Sequence, residues 1–151
     1  MPPVKLILAT LVLALSPSLS KAETPRELSE ALFLAAHLGH MPSIVDLVQR
    51  GANVNYINPS RETPMHAAAA RGHLNVIQFL ISRGANMNPR TVQNWIPLHH
   101  AVRFGHVPVV HYLLSRRAPI YSRTRGNQTV FDIAKSTRNQ QMINLLERYR
   151  R

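Results

Sequence analysis

Apolar residues fall along this chain in two different ways. Near the start they dominate one uncharged run, Leu6 to Leu15, of ten residues interrupted only by Thr10. From residue 27 onward they come in short clusters at helical spacing, separated by polar stretches rich in Asn, Gly and Pro. Val76, Ile77, Leu80 and Ile81 illustrate the second kind: their spacing places them on one face of a helix over residues 75–82. No strictly alternating stretch of the kind a half-buried strand needs stands out.

The clusters recur with a period of 33. Gly39-His40, Gly72-His73 and Gly105-His106 are each one period apart, as are Gly51-Ala52 and Gly84-Ala85. Thr63-Pro64-Met65-His66 returns as Ile96-Pro97-Leu98-His99, then as Thr129-Val130-Phe131-Asp132. Asn53-Val54-Asn55 returns as Asn86-Met87-Asn88. Within a unit the punctuation predicts two short helices and an extended loop. Thr63 can cap a helix whose first turn accepts Pro64, and Ala67 to Ala70 are strong helix formers. Gly72 and Gly84 end the two helices. Pro42 and Pro108 fall at the start of second helices, where proline is tolerated.

Such units cannot bury their apolar faces alone and must stack. Three rows stay apolar through the array: Leu32, Met65, Leu98, Phe131; Ala35, Ala68, Ala101, Ala134; and Leu47, Leu80, Leu113, Leu146. The ends should differ, because each has one face in water. The first unit opens with Thr24-Pro25-Arg26-Glu27, which has capping-box spacing. The fourth replaces Gly-His with Arg138-Asn139, and Gln140, Gln141, Asn144, Glu147 and Arg148 are expected on its outer surface. In the third unit Ile96 cannot cap and Arg117 replaces the helix-ending glycine, so its second helix is expected to end less cleanly, before the most mobile loop.

The period, with Thr-Pro-Met-His-x-Ala-Ala-x-x-Gly-His and Gly-Ala-Asn-x-Asn, resembles the ankyrin repeat over residues 27–151. The resemblance implies an all-α solenoid of four stacked helix-turn-helix units with extended finger loops. The units are 27–59, 60–92, 93–125 and a truncated 126–151, within a domain spanning 23–151.

The leading segment reads differently. Lys5 supplies a positive start and Ser16-Pro17 ends the apolar run. Ser20-Lys21-Ala22 places small residues where a signal peptidase cuts. Residues 1–22 are thus expected to be a signal peptide cleaved after Ala22, since a run of ten residues falls short of the roughly 20 that span a membrane. No later run is long enough, so no transmembrane span is expected in the mature chain. A secreted or periplasmic location follows, and small signal-bearing ankyrin proteins resemble bacterial ones.

Composition then narrows the function. The chain has no cysteine, which excludes disulfides and thiolate chemistry. Formal net charge is +11. Lys5 and Lys21 give +2; residues 23–100 carry six arginines against five acids; residues 101–151 carry nine arginines and Lys135 against Asp132 and Glu147, or +8. The cationic half favours an acidic partner, although charge alone also serves solubility.

The eight histidines do not make a metal site. His66, His99, His40, His73 and His106 hold framework positions, and the resemblance implies that they hydrogen-bond adjacent units together. His37, His100 and His111 lack the spacing of a ligand set. Nothing assembles a nucleophile, a base and a stabiliser, so neither enzyme activity nor a cofactor is expected. Asp132 fits a loop-organising acceptor better than a general base.

Binding remains, and the resemblance implies where: the fingers, residues 53–62, 86–95 and 119–128, and the first helices, which form a palm. Exposed palm positions are expected at Ala67, Ala70 and Arg71; His100, Arg103 and Phe104; and Ile133, Ser136 and Thr137. The fingers carry Tyr56 and Arg61, Arg90 and Trp95, and Tyr121, Arg123 and Arg125, residue types that dominate interface energetics. The expected role is a monomeric protein-binding scaffold for an acidic partner. The alternative is a cationic binder of an anionic polymer or surface, such as an envelope glycan, acidic lipid or nucleic acid. Tyr121-Ser122-Arg123-Thr124-Arg125 and Arg148-Tyr149-Arg150-Arg151 carry that reading. Nucleic acid is disfavoured by the export signal.

Overall fold

A computed structural model describes residues 23–150; the expected signal peptide, residues 1–22, lies outside them, as does Arg151. The described residues form eight helices and no strand. In chain order these are α1 (Pro25–Leu38), α2 (Met41–Gln49), α3 (Pro64–Arg71), α4 (Leu74–Ser82), α5 (Pro97–Arg103), α6 (Val107–Ser115), α7 (Val130–Ser136) and α8 (Gln140–Arg148). None is long and apolar enough to cross a membrane.

Local chemistry sets the helix ends. Thr24 caps α1: its hydroxyl accepts from Glu27 N–H, and the Glu27 carboxylate accepts from Thr24 N–H at 2.8 Å. Thr63 caps α3 reciprocally with His66, and Thr129 caps α7 with Asp132. Ile96 offers no oxygen, yet half the arrangement survives, because His99 Nδ1 accepts from Ile96 N–H at 3.1 Å. Gly72 closes α3 at φ +77°. A Cβ there would come within 2.5 Å of the His106 ring, so close approach as well as conformation requires glycine.

The end of α6 corrects one expectation. α6 spans nine residues, as α4 does. Arg117 takes the left-handed backbone, φ +62°, that Gly84 takes at φ +86°. Ala118 N–H then returns to Leu113 O at 3.0 Å, as Ala85 N–H returns to Leu80 O at 2.9 Å. Arginine adopts the turn at the cost of strain instead of unwinding the helix.

The helices form two rows. α1, α3, α5 and α7 stack in sequence, and α2, α4, α6 and α8 stack behind them. The front row is packed more closely. Ala35, Ala68, Ala101 and Ala134, all nearly inaccessible, let those backbones approach. Leu47, Leu80, Leu113 and Leu146 are buried in the second row. Leu32, Met65 and Leu98 are buried likewise; Phe131, in the last unit, is only half-buried, covered by Tyr121 and Arg150. Closer packing along the front row curves the stack towards that side, the concave face from which the fingers project.

Histidines tie the units together. His66 Nδ1 accepts from Thr63 N–H, which places the ring proton on Nε2, 3.0 Å from Trp95 O in the next finger. His99 repeats this towards Ser122 O at 3.1 Å. His73 and His106 reach backwards, to His37 O at 3.1 Å and Ala70 O at 2.9 Å in the previous front helix. His40 departs from the expected role. Among the described residues no helix precedes α1 for it to reach, and its Nδ1 accepts from Ser43 N–H at the start of α2.

Candidate functional site: a groove between the second finger and the palm

The centre of the concave face is a groove of about 580 Å³. The residues that shape it are Glu62, Val92, Trp95, His100, Arg103 and Phe104. It begins with a tight turn. Thr91 N–H donates to Trp95 O at 3.0 Å, Trp95 N–H donates to Thr91 Oγ1 at 3.1 Å, and Asn94 closes the turn at φ +60°. Trp95 O also accepts from His66. The tryptophan backbone is thereby fixed both by its own finger and by α3.

Its side chain is half-buried and leans on α5. The ring centroid lies 5.8 Å from that of His99 and 5.1 Å from that of His100. The Arg103 guanidinium sits 5.5 Å above it, an attractive placement for a cation over a π face. Phe104, at the end of α5, is 55% exposed, and Val92, across the groove, is 44% exposed. Arg103 makes no ion pair among the described residues. Glu62 accepts from Asn58 Nδ2 at 3.0 Å. The groove thus offers two aromatic surfaces, an apolar wall and a guanidinium free to take a carboxylate.

His100 differs from its expected role. Its ring is wedged between Trp95 and His66, whose centroid is 5.5 Å away, and its Nε2 is buried without a hydrogen-bond partner. Burial first, then His66, His99 and Arg103, pushes its pKa down to about 3. It is a neutral floor of the groove, not a cation offered to a partner. Burial similarly lowers the pKa of His66 and His99. Two other expected palm positions are also closed: Ala67 and Ile133 are buried. Ala70 is half-buried, while Arg71, Arg103, Ser136 and Thr137 are exposed.

The remaining candidates do not line this groove. Tyr56 is half-buried and meets Phe33 edge-on at 6.4 Å. Arg61, at φ +59°, and Arg71 are exposed. Arg90 holds Asn94 Oδ1 at 3.0 Å, bracing the turn that carries Trp95. Tyr121, 54% exposed, stacks on Phe131 at 6.0 Å. Arg123 Nη1 donates to Asn127 O at 2.9 Å, and the Arg125 side chain is exposed. The candidates therefore divide between the central groove and the last finger. Sequence reasoning missed Glu62 and Val92. The signal was available for Val92, an apolar residue at a turn tip where polar residues are usual. Among the described residues, no three His, Asp or Glu side chains converge as a metal site would need.

A family model of ankyrin repeats, in three copies, matches residues 32–124. A search of curated proteins gives no match to the chain.

Proposed function

We propose a protein-binding role from a plain premise: this chain belongs to the ankyrin-repeat family. Ankyrin repeats mediate protein–protein interaction. The finer reading is that the chain is an exported, monomeric scaffold that grips an acidic partner through its concave face. The observation that carries it is the Trp95–Arg103–Phe104 groove: exposed aromatic surface beside an arginine with no ion pair. An apolar side chain of the partner would sit against Trp95 and Phe104, and an adjacent carboxylate would meet Arg103 bidentately. Export rests on the Lys5, Leu6–Leu15 and Ser20-Lys21-Ala22 pattern and places the protein in the periplasm or outside the cell.

Trp95→Ala combined with Arg103→Ala is expected to abolish recovery of the partner in a pull-down while the melting temperature stays near that of the parent. Undiminished recovery overturns the reading. The charge distribution favours a second reading, a binder of anionic polymers or surfaces. Among the described residues Arg150 is the only cation beyond position 100 in an ion pair. A polyanion would be lost log-linearly with salt, whereas binding through the aromatic groove would be far less sensitive.

A further inference from the structure

The fingers are joined by a hydrogen bond that repeats with the period. Val92 N–H donates to Ser60 O at 3.0 Å, and one period on, Arg125 N–H donates to Gln93 O at 2.8 Å. Asn94 adds a side-chain bond, Nδ2 to Arg123 O at 2.6 Å. The second finger thus presents a carbonyl and an amide to the finger after it; the first, with Arg61 in the place of Asn94, presents the carbonyl alone. The third finger carries the same two groups. Gly126 O stands one period beyond Gln93 O. Asn127 stands one period beyond Asn94, with the same backbone, φ +60°. Among the described residues no further finger follows, and both residues are exposed.

The opposite edge of the array is closed. Pro59 occupies the position from which Val92 and Arg125 donate, and proline has no N–H. Proline there blunts an edge against pairing. The finger array therefore has one edge that accepts a neighbour and one that refuses it.

The open edge borders a cavity of about 390 Å³ whose walls include Arg123, Phe131, Lys135 and Arg150. Here Phe131, Asp132 and Lys135 hold the positions that Leu98, His99 and Val102 hold one unit earlier, where a following unit buries them. Arg123 and Lys135 make no ion pair among the described residues. Arg150 bonds Glu147 at 3.2 Å and lies over the Phe131 ring at 5.4 Å. The one acid in the cavity, Asp132, is engaged by Thr129 N–H and Oγ1, both at 2.9 Å. The local field is cationic.

We propose that the outer edge of the third finger binds an extended acidic segment of a partner protein, which adds its backbone to the array as a fourth finger. Its N–H donates to Gly126 O, its carbonyl accepts from Asn127 Nδ2, and its carboxylates face Arg123 and Lys135. Main-chain pairing supplies a general grip and the cations supply selectivity. A second copy is the poorer occupant, because the edge it would bring carries Pro59 where the donor is needed. This site is separate from the Trp95 groove and does not rest on it.

The test uses the isotope-labelled protein and a short peptide alternating glutamate and valine, with a lysine–valine peptide as control. The acidic peptide is expected to shift amide signals of residues 123–128 and of Lys135; the basic one is not. Asn127→Gly keeps the left-handed turn and removes the side-chain donor, and should weaken binding roughly threefold to tenfold. The Arg123→Gln, Lys135→Gln double variant should weaken it further and flatten its salt dependence, while Trp95→Ala leaves it unchanged. The proposal is overturned if no shifts appear, if they centre on residues 58–62 or on the Trp95 groove, or if the basic peptide binds equally. It is overturned too if neither variant weakens binding, or if residues 126–127 shift with protein concentration alone, which would give the edge to a second copy.

Discussion

At the scale of single residues, histidine and arginine do opposite work here. His66 and His99 each use one ring nitrogen to accept from a helix N-terminus and the other to donate to the next finger. Both bonds need the neutral ring in one tautomer. Burial depresses the pKa of His66 and His99, and that of His100 to about 3. The folded state therefore binds fewer protons than the unfolded chain below the ordinary histidine pKa of 6.5. Stability should be full above that value and fall as pH drops, by up to about 1.4 kcal/mol per unit for His100, with His66 and His99 adding in the same direction. Denaturant midpoints at about pH 7.5 and about pH 5 check this, and His100→Gln should reduce the loss. A midpoint unchanged between those conditions contradicts it. The arginines, by contrast, stay out in solvent with few ion pairs, where they keep the whole of their charge for a partner.

At the scale of elements, the helix boundaries follow from a few cap and turn residues, and most were legible in the sequence. Thr24, Thr63 and Thr129 cap as their spacing implies, and Asn139, where the other units have histidine, caps α8 by accepting from Met142 N–H at 3.0 Å. Arg117 was not legible. An arginine in place of a glycine suggested a frayed helix, but stacking over-determines the turn and forces the left-handed conformation. Arg117→Gly should therefore raise stability by about 0.5–1 kcal/mol, because the side chain is exposed and only strain is removed. A thermal melt of the variant measures this, and an unchanged or lowered melting temperature tells against the strain. The palm shows a similar limit. Periodicity says which residues lie on a front helix, but not how far each neighbour overlaps it, so Ala67 and Ile133 were expected to be open and are buried.

At the scale of the molecule, the repeat itself is the mechanism. Identical hairpins stack, the alanine row draws the front helices together, and the fingers line up so that side chains far apart in sequence share one groove. Trp95, Arg103 and Phe104 were each identifiable as candidates, but their union depended on His66 anchoring the tryptophan turn from the preceding unit. His100 was misjudged because a helix position fixes direction without fixing what covers it. The claim most in need of trial is that the concave groove is the contact face. A photo-crosslinking residue placed at Phe104 in the groove, and separately at exposed Gln78 on α4, decides it in the native compartment. Crosslinking to one defined protein from position 104 and none from position 78 is the expected result; equal capture from both, or capture from 78 alone, would contradict it.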